Sequence, residues 1–302
     1  MVRAPDRMLG RLPGLATRLA SAPVDWPRLG YALRSSIQIA SSGASRVPEL
    51  PADLAASALL TASIALVAGL SRGFSGFGAA MVFIPLTGAA LGPVVAVPVL
   101  LIADFATSGP LFLKATRICS WSQIRAVALG GFIGFPIGVQ ILTTTDPIAL
   151  RWTTSVLILL MLGILISGWK YRGAESSAVS GAVGGLAGLM SGIAQIGGPP
   201  LVIYWLGTDP VIARVRANLQ VYFGLTIALG LTIFVWKGLI TWPVIVLAAA
   251  TAPSYAAGIY VGARLFRFAD ERIFRMIAYV LVTLAAVTGS PLLDPVLRGG
   301  TH

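Results

Sequence analysis

Arg72 is the one cation of this 302-residue chain that falls outside the predicted loops, and Asp104 is an acid set deep inside an apolar stretch, "PVLLIADFATSGPLFL". An ionisable group at such depth is costly and defaults to a functional role. Asp104 could carry a proton, bind a coupling ion or pair with Arg72. It is also readable as a carboxyl held neutral, or bonded to Thr107 or Ser108, for packing. Arg72 offers its charge to an anionic solute, or snorkels from a helix end to an interface. Little other chemistry is open to the chain. Cys119 is its single cysteine and His302 its single histidine, so metal sites, haem and thiolate clusters lack raw material. One buried carboxylate without a nucleophile–base pair does not support acid–base catalysis. No catalytic residue, metal or cofactor is expected, and the chain reads as no enzyme.

Arg72 stands next to a glycine-broken stretch that has a counterpart in the second half of the chain, while Asp104 lies mid-way along the next apolar segment. "GFSGFGAAMVFIP" begins at Gly73, and "GIAQIGGPPLVIY" begins at Gly192. After each break the chain restarts as a helix, from Gly78 and from Gly198, and Pro199 suits a first turn that needs no N–H. A helix that starts inside a membrane aims unpaired N–H groups and partial positive charge at what it faces. The expected solute site therefore comprises Arg72, Gly73, Ser75, Gly76 and Gly78 from the first break, and Gln195, Gly197, Gly198 and Pro199 from the second. "RVRANLQVYFG" adds Asn218 and Gln220 as neutral donors and acceptors, groups that serve equally to glue helices together. Asp104 is the candidate for proton or ion coupling.

The elements that must hold these residues are apolar. The chain is 56% hydrophobic and 11% charged, against about 25% charged in soluble domains. It reads as an all-α polytopic integral membrane protein. Its net charge of +11 then reports basic loops rather than nucleic acid. Offsetting the chain by 119 aligns "AGLSRGFSGFG" with "AGLMSGIAQIG" and sets Arg72 opposite Ser191. Further on, Trp121, Gly134, Gly138, Asp146 and Arg151 meet Trp242, Gly258, Gly262, Asp270 and Arg275 in order. Each copy contains one interrupted segment, 54–91 or 178–207, and three plain ones: 94–113, 122–142 and 148–169, then 217–236, 242–263 and 273–289.

As a single helix, 178–207 would extend about 45 Å, too long for one crossing of a core roughly 30 Å thick and too short for two. A Gly-broken or re-entrant hairpin fits. Loop charges swap between copies: Lys114, Arg117 and Arg125 against Lys237 alone, then Arg151 alone against Arg264, Arg267, Arg272 and Arg275. Under the positive-inside rule the copies are inserted upside down relative to each other. The expected fold is two inverted repeats, 53–175 and 176–291, each a broken or hairpin segment plus three transmembrane helices, about eight to ten membrane helices in all. Residues 1–52, rich in arginine, read as a disordered basic tail, and 292–302 as a C-terminal tail. This orientation sets 114–125 and 264–275 in the cytoplasm and, against the rule, the basic residues 1–52 outside.

The chain resembles the sulfite exporter TauE/SafE family of membrane permeases over about residues 54–290. The likeness rests on the twice-used "AGxxxGxxxxG" break, on "FGAAMVFIPLTGAALGPVVAVP", on "IGGPPLVIYWL" and on "RANLQVYF". It implies a duplicated all-helical permease that moves small sulfur-containing anions such as sulfite or organosulfonates, usually outward. The combined expectation is a secondary transporter in a bacterial inner membrane, working by alternating access. Its partners are a small anionic solute and the lipid bilayer, not nucleic acid, with a homodimer left open. The alternative is a non-transporting membrane scaffold or assembly factor, whose polar groups would be scattered rather than gathered at the two breaks.

Overall fold

A computed structural model describes residues 54–76, 78–209, 211–265 and 271–294, without the side chains of residues 74, 75, 110, 111, 271–275 and 293. The basic tail 1–52 and most of 292–302 lie outside the described residues. Among those described, every regular element is a helix: α1 Leu54–Ser75, α2 Ala79–Leu91, α3 Pro93–Ala115, α4 Trp121–Thr144, α5 Pro147–Ile166, α6 Ser177–Ala194, α7 Gly198–Thr208, α8 Ile212–Trp236, α9 Trp242–Leu265 and α10 Glu271–Gly289, with a 3₁₀ turn at Pro291–Leu293. Six of them are long and apolar enough to cross a membrane. The chain is an all-helical, multi-pass membrane protein.

Local chemistry sets the helix starts. Proline occupies the first turn of α3, α5 and α7, where no N–H is needed. The Asp146 carboxylate accepts from the Ile148 and Ala149 N–H groups at 2.8 and 3.2 Å, and the Ser176 hydroxyl accepts from Val179 at 3.2 Å. Such caps satisfy donors that the helix itself cannot.

Packing relates the two groups of five helices. The closest pairings are α1 with α9 and α4 with α6, the first helix of each group against the fourth of the other. Both run parallel: Gly130, Gly134 and Gly138 step along Gly181, Gly185 and Leu189, while Leu66 and Leu70 step along Gly258 and Gly262. A methyl group on Gly134 would strike the Gly185 carbonyl, so these helices touch backbone to backbone, as small residues allow within membranes.

One set of hydrogen bonds defines an end of the bundle. Asn218 accepts from the Ser120 N–H at 2.8 Å and donates to Gln123 at 2.9 Å, and Gln123 donates to Glu175 at 3.4 Å. The start of α4, the start of α8 and the α5–α6 loop therefore lie together. Lys114, Arg117, Arg125, Lys170, Arg172, Arg214, Arg216 and Arg264 are exposed towards this end. The other end holds Lys237, bonded to Gln140 at 2.7 Å, and Arg151. From there α1 descends and α2 returns, whereas α6 rises from the basic end and α7 returns to it. The interrupted segments are hairpins that enter from opposite ends.

The symmetry is incomplete. Gly289 of α10 lies so close to Pro85 of α2 that no side chain would fit. The corresponding pair, α5 and α7, touches more sparingly and leaves an apolar groove beside Tyr204.

Candidate functional site

The first hairpin turns where backbone conformation favours glycine. Gly76 and Gly78 have φ of 78° and 98°, values that L-residues rarely adopt. The Gly76 N–H closes α1 onto the Arg72 carbonyl at 2.7 Å, and Met81 N–H bonds Gly78 at 3.1 Å to open α2. The second hairpin makes its turn with Gln195, at φ 60°, the sole non-glycine with positive φ among the described residues. Its N–H bonds the Ser191 carbonyl at 2.8 Å, and the Ile196 N–H bonds Met190 at 3.3 Å. These bonds satisfy carbonyls at the end of α6.

Both tips border one cavity. Its lining includes Arg72, Gly78, Ala79, Ala80 and Met81 from the first hairpin, Ser191, Gln195, Ile196, Gly198 and Pro199 from the second, Asp104 from α3, and Phe223, Thr226 and Ile227 from α8. The room for centres of water-sized molecules is about 40 Å³. By that measure one water needs about 10–15 Å³, so a few waters or one small oxyanion would fit. The starts of α2 and α7 both face it, each carrying about half a positive charge. They differ in donors: α2 presents first-turn N–H groups at Ala79 and Ala80, whereas Pro199 and Pro200 remove two from α7.

Arg72 and Asp104 form an ion pair in the wall. Arg72 Nη1 also donates to the Tyr255 hydroxyl at 2.8 Å, and Nη2 to Ser108 Oγ at 3.2 Å. The Tyr255 hydroxyl donates to Asp104 Oδ1 at 2.6 Å. The two formal charges cancel, and three helices are tied at mid-height. Gln195 is different: its Nε2 is buried with no hydrogen-bond partner among the described residues. A buried donor left unpaired costs about 1–3 kcal/mol, and a bound acceptor would remove that cost.

Not every expected residue reaches the cavity. Gly73 packs against the Ile259 carbonyl of α9, Gly76 has open space where a side chain would stand, and Gly197 abuts Ser191 and Ala187. Asn218, in the first turns of α8, is fully buried against the start of α4, its amide committed to Ser120 and Gln123. Gln220 is not in the lining, and its Nε2 is buried without a hydrogen-bond partner among the described residues. The Ser75 side chain lies outside the described residues. Sequence reasoning missed Tyr255; its signal was a hydroxyl-bearing aromatic midway along an otherwise plain apolar segment.

One of three comparisons with known proteins found a match. A family model described as sulfite exporter TauE/SafE matches residues 60–288. Searches of curated proteins and of solved structures found no match. The matched stretch takes in all ten helices except residues 54–59 of α1 and the last residue of α10, hairpins and cavity included, and the chain belongs to the sulfite exporter TauE/SafE family.

Proposed function

We propose that this permease exports a small sulfur-containing anion, such as sulfite or an organosulfonate, across a bacterial inner membrane by alternating access, with the anion held between the two hairpin tips. The observation that carries the reading is their convergence on one small cavity, with Arg72 in its wall and the unpartnered Gln195 amide at its edge. First-turn N–H groups of α2, the Gly198 N–H and the Gln195 amide supply donors, and two helix starts supply positive potential. Arg72 engages the anion by loosening its hold on Asp104. Asp104 then takes a proton or cation in exchange, which couples solute movement to an ion gradient. Motion of one repeat against the other exposes the cavity alternately.

The test is counterflow of labelled sulfite, sulfoacetate and thiosulfate into proteoliposomes, with R72Q and D104N alongside. Uptake above empty vesicles for one of these anions, lowered in both variants, is expected. Uptake equal to empty vesicles for all three would overturn the transport reading, and undiminished uptake by both variants would overturn the site.

A further inference from the structure

The groove between α5 and α7 is chemically unlike the anion cavity. Ile164, Leu186, Pro200 and Ile203 supply its aliphatic walls, with Trp169 and Tyr171 at its mouth. Its room is about 180 Å³, more than the roughly 150 Å³ of an apolar cavity that binds benzene. The hydroxyls nearby are already engaged: Tyr204 with Ser180 at 2.7 Å, Tyr171 with the Ala174 carbonyl at 3.1 Å. The side chains lining it offer a ligand almost only apolar surface, which suits hydrocarbon.

The mouth is basic. Trp169 is 57% exposed, and Lys170 and Arg172 alternate with the two groove-lining aromatics and are exposed. Two acids lie near this loop and both are engaged: the Glu175 carboxylate accepts from Gln123, and the buried Asp209 pairs with Arg214 at 3.4 Å. The loop is fixed rather than loose: Tyr171 N–H bonds the Ile203 carbonyl at 3.2 Å, and its carbonyl lies against Gly207 of α7. An apolar slot in a membrane-facing wall, with an interfacial tryptophan and two cations at its rim, matches a lipid with a negative headgroup.

We propose that this groove binds an anionic phospholipid, one acyl chain lying against α5, α6 and α7 and the phosphate meeting Lys170 and Arg172. The site is distinct from the anion cavity, although both border α7. Each cation near a lipid surface contributes roughly fivefold in binding, so the pair is expected to favour phosphatidylglycerol over phosphatidylcholine by about 25-fold.

Native mass spectrometry of the full chain, titrated with either lipid in a releasing detergent, measures that preference. Expected results are a preference for phosphatidylglycerol, its loss in K170Q/R172Q, and weaker retention of both lipids in L186W, which fills the groove. An excess of glycerol phosphate should not displace the lipid. Equal retention of the two lipids, or a preference that survives K170Q/R172Q, would overturn the proposal. So would retention unchanged by L186W, or displacement by glycerol phosphate, which would mark a phosphate site without an acyl chain.

Discussion

Removing either partner of the Arg72–Asp104 pair should cost far more than removing both. The side chains are 12% and 11% exposed, so either variant leaves a nearly buried charge. Loss of one partner from such a pair costs about 3–5 kcal/mol. In R72Q, Asp104 keeps the Tyr255 hydroxyl as a donor; in D104N, Arg72 keeps Tyr255 and Ser108 as acceptors. Those residual bonds place both single variants near the lower end, about 3 kcal/mol each. The double variant R72Q/D104N holds two neutral amides that can bond each other and Tyr255, and should cost about 1–2 kcal/mol, as for a changed hydrogen bond. The coupling is then about 4 kcal/mol, well beyond the roughly 0.5 kcal/mol scatter of independent sites. Reversible unfolding of the four proteins in mixed micelles measures it. Additive losses would refute the reasoning, because they would mean that solvent or lipid headgroups already satisfy each charge separately.

Other outcomes follow from single contacts. Y255F removes bonds at 2.6 and 2.8 Å to charged partners and should lower unfolding stability by about 1.5–3 kcal/mol, without changing the far-UV helix signal. R151A strips four hydrogen bonds, to the Gly289 and Ser290 carbonyls and to both oxygens of Asp294. It should cost about 3–5 kcal/mol in the same assay, and D294N, at a more exposed position, about 1–2 kcal/mol. G134V should abolish the monodisperse peak in size-exclusion chromatography, because its side chain would strike the Gly185 carbonyl. G163A, a helical position with nothing within 4 Å, should instead stabilise by about 0.5–1 kcal/mol. G78A should cost about 1–2 kcal/mol of strain at φ 98° and slow counterflow.

The breaks, the long apolar helices and the opposed hairpins were legible because each rests on a local signal. Glycine at "GFSGFG" and "QIGG", charge in loops and uninterrupted apolar runs need no tertiary knowledge. The partners of Arg72 were less legible. Asp104 could be weighed for the role because an intramembrane acid is conspicuous, but Tyr255 lies 183 residues from Arg72 in sequence, and no spacing rule joins them. Asn218 shows the opposite limit. An amide in a membrane helix serves a solute or a neighbouring loop equally well in sequence, and here Ser120 and Gln123 hold it. Depth along a helix is readable from one dimension; which face meets which neighbour is not.

Gly289 against Pro85 on one side and the looser α5–α7 contact opposite bear on the proposed transport cycle. Under the proposed alternating access, halves built alike but seated differently correspond to two positions of a single joint. Trading those seats, so that α7 displaces the lipid and closes on α5 while α2 draws away from α10, would yield the inverted arrangement of the bundle from contacts of kinds it already makes.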